Sequence, residues 1–375
     1  MRLDVALPDP LLKPFLPIIR RRYEKSVLRR LEYTNHKFCL SDVFNNHLYF
    51  GLHELDGGEW VFREWAPTAT AIYIIGESSE WVKREEFRLK NIGDGVWEVK
   101  LPKEEMWHGM KYKLWVEWQS GCGERLPAYA RRVVQDDISK VFSAEVWQPC
   151  KPYQWKNIQP CRIDNPLIYE AHIGMCMENR RVSTFDEFRS YVLPRIVELG
   201  YNTIQLMGIQ EHPYYGSFGY QVSNFYAVSS RFGSPDDLKR LVDEAHGLGI
   251  AIVMDLVHSH AVKNEVEGLS CFAGDYNQYF YSGERGEHKL WNSRCFNYGK
   301  GEVVSFLLSN CKYWLEEYHL DGFRFDGITS MLYWDHGLGR DFTDYKFYYD
   351  GNQDEDAITY LTLANQLCHE VNPNM

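Results

Sequence analysis

The feature that most constrains the fold is an alternation of apolar strands and capped helices that begins after Pro166. The predicted strands cover residues 167–173, 203–209, 251–257 and 322–326, and the predicted helices begin at Ser183-Thr184 and cover 234–248, 302–319 and 354–370. Ser234 and Pro235 are typical of a helix N-cap and a first helical position. Because the strands are near-continuous apolar runs, beginning with a strand at 167–173 that we expect to be buried, the pattern favours a parallel sheet with helical crossovers.

The chain before Pro166 follows other patterns. Residues 1–35 form a predicted N-terminal helical segment with a helix at 17–32. Residues 36–146 hold short alternating segments at 59–65, 71–75, 96–101 and 111–118, separated by Gly/Asp turns, which favours an antiparallel β-sandwich. Residues 147–166 contain three prolines before Pro166 and little periodicity, so we interpret them as a linker.

The sequence therefore predicts a multidomain β plus α/β protein: a helical segment, a β-sandwich, and four βα units at 167–375. A complete (β/α)8 TIM barrel has eight such units in about 250 residues, so we expect the first half of a barrel. Such a half-barrel would expose strand edges and an apolar interior, and we expect it to aggregate or to need a partner.

The net charge of −11 disfavours nucleic acid as a partner, because a polyanion would be repelled by the field of the protein. A neutral substrate fits this charge better. We interpret the densest basic run as the solvated face of the N-terminal helix rather than as a nucleic-acid patch; it consists of Arg20, Arg21, Arg22, Lys25, Arg29 and Arg30.

The cysteines and the apolar runs bear on the compartment. Nine cysteines, an odd number without a metal-like CxxC pair, are typical of reduced thiols in the cytoplasm. No apolar run is long enough to span a membrane, and the N-terminus resembles neither a secretory signal nor a transit peptide. We expect a cytoplasmic protein without a membrane partner.

The fourth predicted strand ends in Arg324 and Asp326, which a period of two places on the same face. An arginine beside an aspartate keeps the carboxylate ionised, and an aimed carboxylate is what covalent glycosyl transfer requires. The alternative is a plain Arg–Asp ion pair inside the sheet, and spacing alone does not choose between the two.

The third predicted strand ends in Asp255, followed by His258 and His260. His260 could bond sugar hydroxyls and Asp255 could hold neighbouring loops, whereas a satisfied loop histidine is the expected role of His258. A metal site is the rival interpretation, but a third clear ligand is missing from the pattern.

These strand ends resemble the first two sequence blocks of the α-amylase superfamily, glycoside hydrolase family 13: Asp255-Leu256-Val257-His258-Ser259-His260 and Gly322-Phe323-Arg324-Phe325-Asp326. The segments 215–221, 258–261, 314–318 and 321–333 are similar to the eukaryotic-type branching enzymes of that family. The likeness covers residues 36–375. It implies that residues 36–146 are a carbohydrate-binding module of family 48.

The resemblance implies a role for each matching residue. Asp326 would be the nucleophile and Arg324 its support. Glucan or sugar contacts are implied for Tyr220, Asp255, His260, Trp65, Pro67 and, more weakly because Gly301 replaces a usual aromatic, Glu302. No cofactor and no metal are implied, since Ser259 stands where many amylases have an asparagine that binds calcium.

The implied reaction is a retaining transfer: α-1,4-glucan, such as glycogen, is cleaved and the segment is moved to a 6-hydroxyl, which makes an α-1,6 branch. In the family, the general acid follows the fifth strand, so we expect this chain to be truncated before it and inactive alone. We expect a monomer at full length. A non-catalytic glucan-binding protein and an α-1,6 debranching enzyme remain alternatives, although residues 258–261 favour branching over debranching.

Overall fold

The computed structural model describes residues 9–160 and 163–375, and it begins with helices. A 3-10 turn at Pro10–Phe15 leads into α1 (Leu16–Tyr33), α2 (Leu40–Val43) and α3 (Asn46–Tyr49). The helix predicted at 17–32 is confirmed as α1. Residues 1–8 of the predicted helical segment lie outside the described residues. Among the described residues, no helix has both the length and the apolar content needed to cross a bilayer.

Nine antiparallel strands follow the helices and form two sheets. They are β1 (Gly51–Glu54), β2 (Trp60–Trp65), β3 (Ala69–Gly76), β4 (Lys90–Gly93), β5 (Val96–Leu101), β6 (Lys111–Trp118), β7 (Gly121–Arg125), β8 (Val133–Gln135) and β9 (Phe142–Glu145). One sheet has the order β1-β2-β5-β4, and the other has the order β3-β6-β9-β8 with β7 beside β6. The strands predicted near 59–65, 71–75, 96–101 and 111–118 are confirmed as β2, β3, β5 and β6.

Residues 36–50 do not belong to the sandwich, which corrects the predicted start of that domain. This segment forms α2 and α3, and the first strand begins only at Gly51. The physical reason lies in local caps and docking: the Asp42 carboxylate accepts from the Cys39 amide, and the Ser41 amide donates to Glu370 of the last helix. These bonds satisfy amides that a strand would otherwise pair.

Residues 153–159 of the predicted linker lie against the helices of the next domain, whereas Gln148 bonds to the sandwich. The Asp243 carboxylate accepts hydrogen bonds from the amides of Lys156 and Asn157. The Trp155 ring stacks on His319 at 3.9 Å between centroids. This stretch is therefore a docked connection between the domains. Residues 161 and 162 of the prediction lie outside the described residues.

The rest of the chain alternates strands and helices. Its elements are β10 (Ile168–Ala171), α4 (Phe185–Glu187), α5 (Leu193–Glu198), β11 (Thr203–Leu206), β12 (Gln210–Glu211), β13 (Asn224–Val228), α6 (Pro235–Gly247), β14 (Ala251–Leu256), β15 (His260–Val262), β16 (Glu287–His288), β17 (Ser293–Cys295), α7 (Gly301–Tyr318), β18 (Gly322–Phe325), α8 (Ile328–Leu332) and α9 (Glu355–Val371). Strands β10, β11, β14 and β18 form one parallel sheet in that order. This arrangement confirms the predicted half of a (β/α)8 barrel.

The helices of this domain begin where their caps predict. The Ser234 hydroxyl accepts a hydrogen bond from the Asp237 amide at 3.2 Å, and the Asp237 carboxylate accepts one from the Ser234 amide. Thr184 and Glu187 form the same reciprocal pair before α4. Asp354 caps α9. Each cap satisfies amides that lack an intrahelical partner.

The basic run is not only a solvated face, because four of its six residues pair with α9. Helix α1 packs against α9, and the reason is a row of acidic side chains on α9. Four ion pairs join the two helices: Arg21–Glu355 at 3.7 Å, Arg22–Glu355 at 3.1 Å, Lys25–Asp356 at 2.9 Å and Arg30–Glu370 at 2.9 Å. The run therefore fastens the N-terminal helix to the last helix of the described chain.

The inner face of the parallel sheet is more polar than predicted. Parallel register places Glu170 and Gln205 beside Val253 on the face that carries Asp255. The Gln205 amide donates to Glu170 at 3.1 Å and to Asp255 at 2.7 Å. The expectation of an apolar interior is therefore corrected by a hydrogen-bonded polar layer.

The first strand, β10, is not buried as predicted. It lies at one edge of the sheet, where Ile168 is 49% exposed and Glu170 is also exposed. A strand with a neighbour on one side only leaves part of its surface in water, which an apolar sequence pattern does not reveal.

One carboxyl group is fully buried between the sandwich strands and the segment after β7. Glu64 is 0% exposed, and its two oxygens accept hydrogen bonds from the amides of Trp65 at 3.0 Å and Ala128 at 2.9 Å. Burial raises the pKa of Glu64 to about 8, because the two amides offset only part of the cost of burying a charge.

The pH dependence of stability tests this placement. In the unfolded chain Glu64 ionises near pH 4.5, but in the folded protein it stays protonated up to about pH 8. Its contribution to the free energy of unfolding is therefore complete below pH 4.5 and is lost, on the order of a few kcal/mol, as the pH rises to about 8. Urea unfolding between pH 5 and 8.5 should show a flatter pH dependence for Glu64→Gln than for the unchanged protein.

The exposed Glu59 supplies the matched control, because Glu59→Gln removes a carboxyl group on the same sandwich. Its pH slope should equal that of the unchanged protein. Equal slopes for Glu64→Gln and Glu59→Gln would contradict the buried, protonated state of Glu64.

Candidate active site

The end of β18 holds Arg324 and Asp326 on the same side, as the period of two predicts. The Asp326 amide donates to the Leu256 carbonyl at 3.0 Å, which continues the pairing of β14 with β18 past the last strand residue. The Arg324 Nη1 atom donates to Asp326 Oδ1 at 2.8 Å. This bond fixes the orientation of the carboxylate at the carboxyl edge of the sheet, where barrel enzymes place their active sites.

Asp255 occupies the neighbouring strand end and is fully buried. Its carboxylate accepts three hydrogen bonds: from Tyr220 Oη at 2.6 Å, Gln205 Nε2 at 2.7 Å and Arg324 Nη1 at 3.1 Å. Burial raises the pKa of Asp255, and the Tyr220 hydroxyl and the Arg324 charge oppose that rise. Through these bonds, Asp255 of β14 connects β11 and the loop of Tyr220 to Arg324, which orients Asp326.

His260 links the same loop to the strand end. Its Nε2 lies 2.8 Å from the Tyr220 carbonyl, which can only accept, so Nε2 carries the proton. Nδ1 then accepts from the Ser259 hydroxyl at 2.8 Å. Burial lowers the pKa of His260, so the ring stays neutral near pH 7. Both ring nitrogens of His260 are therefore bonded to protein groups. In this arrangement neither nitrogen is free for the predicted bonds to sugar hydroxyls.

His258 is a satisfied buried histidine, as expected. Its ring lies between Tyr360 Oη at 2.6 Å and Asn310 Oδ1 at 2.9 Å. The two histidines and Asp255 therefore do not converge on one point. Residues 9–160 and 163–375 contain no group of three or more His, Cys, Asp or Glu side chains arranged to hold a metal ion.

The other predicted contact residues lie apart from Asp326. Trp65 and Glu302 line a cavity of about 370 Å³ between the N-terminal helices, the sandwich and the start of α7. Its other walls are Tyr33, Val43, Phe44, Asn46, Phe50, Asp94, Val96, Tyr129, Gly301 and Ser305. Pro67 is exposed beside this cavity, packed against the backbone of Gly95. The structure thus divides the predicted residues into an Asp326 group and a Trp65 group.

Sequence reasoning missed two residues of the Asp326 group. Gln205 bridges Glu170 and Asp255, and its only signal is a polar residue on the inner face of an otherwise apolar strand. Trp291 lies against Gly327, the residue after Asp326, and is 39% exposed. It belongs to a loop without periodicity, so no sequence pattern marks it.

Family models match both domains. The model described as "Alpha amylase, catalytic domain" matches residues 191–294, and that of "Carbohydrate-binding module 48 (Isoamylase N-terminal domain)" matches residues 49–130. The first covers the chain from α5 to β17, including β11 and β14, and the second covers most of the sandwich.

Curated relatives match nearly the whole chain. Proteins named 1,4-alpha-glucan-branching enzyme are 45% identical in Rhizophagus irregularis, 43% in Dictyostelium discoideum and 41% in Equus caballus, each over 98% of this chain. The matches cover 55%, 55% and 53% of those relatives. The chain therefore spans about half the length of the curated relatives it matches.

Solved structures share the fold. The catalytic module of the pneumococcal glycogen-degrading virulence factor SpuA superposes with a TM-score of 0.67 at 18% identity, covering 87% of this chain and 49% of that one. A putative alpha amylase from Salmonella typhimurium superposes with a TM-score of 0.61 at 24% identity, covering 75% and 44%. At these identities the likeness shows the fold alone.

The Tyr220 hydroxyl tests the network around Asp255. Tyr220→Phe removes a donor to a buried carboxylate, so we expect the free energy of unfolding to fall by about 1.5–3 kcal/mol. Chemical denaturation measures this loss. The control is Tyr214→Phe, because Tyr214 lies in the same loop and is 69% exposed. If the two variants have the same free energy of unfolding, the hydrogen bond from Tyr220 does not stabilise the buried Asp255 carboxylate.

Proposed function

We propose that this chain, a homologue of 1,4-alpha-glucan-branching enzymes over nearly its whole length, serves the branching of an α-1,4-glucan such as glycogen. Asp326 acts as the nucleophile. The observation that carries the proposal is the bond from Arg324 that aims the partly exposed Asp326 carboxylate from the carboxyl edge of a parallel sheet. The 41–45% identity to branching enzymes supports this reaction over debranching.

The proposed reaction proceeds by two displacements. A carboxylate oxygen of Asp326 forms a bond to the anomeric carbon while the α-1,4 C–O bond breaks, and the leaving 4-oxygen takes a proton from a general acid. The 6-hydroxyl of an acceptor glucan then bonds to the anomeric carbon as the bond to Asp326 breaks, and its proton returns to the group that acted as the general acid. Two inversions restore the α configuration, so the product is an α-1,6 branch.

Arg324 and Asp255 have supporting roles in this scheme. Arg324 donates a hydrogen bond to one oxygen of Asp326 and so holds the attacking carboxylate in one orientation. Asp255 does not serve as the acid, since it is fully buried and both its oxygens already accept hydrogen bonds. In the family that Asp326 resembles, the acid follows a fifth strand. A donor whose leaving group needs no proton tests Asp326 independently of that acid.

The Trp65 cavity is the proposed second contact with glucan. Trp65 offers an aromatic wall for pyranose faces, and Asn46, Glu302 and Ser305 supply hydrogen-bonding groups. The family-48 module match at 49–130 supports a carbohydrate ligand for this surface. A site apart from Asp326 would keep the protein on a branched polymer between reactions.

The proposed compartment is the cytoplasm. All eight cysteines within the described residues are unpaired thiols, which persist in a reducing environment. The ninth, Cys161, lies outside the described residues. For the full-length protein we propose a monomer.

Covalent trapping tests the nucleophile without a general acid. In a 5-fluoro-α-glucosyl fluoride the C1–F bond breaks as Asp326 bonds to C1, and fluoride leaves unprotonated, while the ring fluorine slows hydrolysis of the adduct. Mass spectrometry of the digested protein should find one glycosylated peptide, and the label should lie on Asp326. Asp326→Asn should remain unlabelled. A label that persists in Asp326→Asn, or no label on the unchanged protein, would exclude Asp326 as the nucleophile.

Affinity electrophoresis in gels that contain glycogen tests the Trp65 cavity. Trp65→Ala and Glu302→Gln should each weaken retardation, the first about tenfold in apparent Kd, which corresponds to about 1.4 kcal/mol. Glu302 is exposed, so its replacement leaves the fold intact. The control is Trp107→Ala, which removes a 45% exposed tryptophan elsewhere on the sandwich. Equal retardation of all three variants and the unchanged protein would place glucan binding elsewhere.

A further inference from the structure

We infer that Trp291 is a sugar-stacking residue that holds the glucose ring next to the one that Asp326 attacks. The inference rests on the proposed function and names a specificity-determining residue for it. Trp291 lies in the loop between β16 and β17, and its position relative to the nucleophile carries the argument.

Trp291 borders the reacting carboxylate through Gly327. This glycine follows Asp326 and has φ of +68°. A Cβ atom placed on Gly327 would lie 3.3 Å from Cζ3 of Trp291 and within contact of the Ser259 side chain. The Trp291 ring therefore packs against the backbone of the residue that follows the proposed nucleophile. A side chain at position 327 would crowd this ring.

The Trp291 ring is held by a stacked neighbour and remains partly exposed. The His288 ring stacks on it at 3.9 Å with an angle of 13° between the planes. The His260 ring lies 5.0 Å away at an angle of 50°. Even so, 39% of Trp291 remains exposed. An aromatic ring kept in water beside a nucleophile, with one face already covered, offers its remaining surface to a ligand.

The loop that carries Trp291 is tied to the loop that carries Tyr220. The Trp291 carbonyl accepts from Gln221 Nε2 at 2.8 Å, and its amide donates to His288 Nδ1 at 3.2 Å. Burial, with His336 and His260 nearby, lowers the pKa of His288 to about 4. His288 is therefore neutral at the pH of the cytoplasm, and its stack on Trp291 is not disturbed by a charge. Such a preformed ring loses little entropy on binding.

The chemistry of the ligand follows from the ring and its neighbours. A pyranose presents apolar C–H faces that pack on an indole, while its hydroxyls need donors and acceptors at the edges. Asp326 and Arg324 supply those groups on the side of the nucleophile. A glucose unit of an α-1,4-glucan meets both requirements, whereas a planar anion would face Asp326 with like charge.

NMR of the indole N–H groups tests the inference on the unchanged 375-residue protein with maltoheptaose as the probe. The Trp291 signal is assigned by its loss in Trp291→Phe. It should shift on titration, and the shift should persist in Trp65→Ala, which removes the ring of the other proposed site. A Trp291 signal that stays fixed while maltoheptaose saturates the protein would overturn the inference.

Trapping kinetics give a second readout that separates this inference from the proposed function. Trp291→Ala should raise the concentration of 5-fluoro-α-maltosyl fluoride needed for half-maximal labelling about tenfold, and Trp291→Phe should restore most of the loss. Trp334→Ala, which removes a 44% exposed tryptophan of another loop, should label like the unchanged protein. Normal labelling of Trp291→Ala would overturn the stacking role and leave Asp326 as the nucleophile. A shifted Trp291 signal without any labelling would count against the nucleophile alone.

Discussion

The site depends on the burial of one carboxylate, Asp255. A buried charge costs several kcal/mol unless donors compensate it, and here three donors from three places in the chain do so. Gln205 comes from β11, Tyr220 from a loop and Arg324 from β18. The need to satisfy Asp255 therefore brings these elements together, and the second bond of Arg324 then orients Asp326. The proposed nucleophile is therefore positioned through a neighbour that does not itself react.

The Trp65 cavity depends on a different set of contacts, which join the sandwich to the parallel-sheet domain. Arg125 of β7 donates to the carbonyls of Phe272 at 2.9 Å and Cys271 at 3.0 Å. Gln278 donates to the Trp65 carbonyl at 2.8 Å. These bonds, with the ion pairs between α1 and α9, set the walls of the cavity before any ligand binds. None of the described residues that line this cavity belongs to the Asp326 group, and we propose a different role for each surface: the cavity binds the polymer and the Asp326 site reacts with it.

The features that were predicted from sequence depend on residues that are close together in the chain. A period of two placed Arg324 and Asp326 on one face, and Ser234 and Thr184 marked helix starts because their side chains replace missing amide partners. The parts that were missed depend on distant partners. Glu355 lies 333 residues from Arg22, and no local pattern predicts that pair. Gln205 and Trp291 belong to the site only because the fold brings them beside Asp255 and Gly327, and the edge position of β10 depends on sheet order.

The most direct test of the central claim, that Asp326 faces a glucan, is a crystal structure of the protein with maltoheptaose. We expect a glucose ring whose anomeric carbon lies about 3–3.5 Å from a carboxylate oxygen of Asp326. Maltoheptaose bound only in the Trp65 cavity, with water alone beside Asp326, would contradict the claim. That result would favour a glucan-binding protein without a catalytic role.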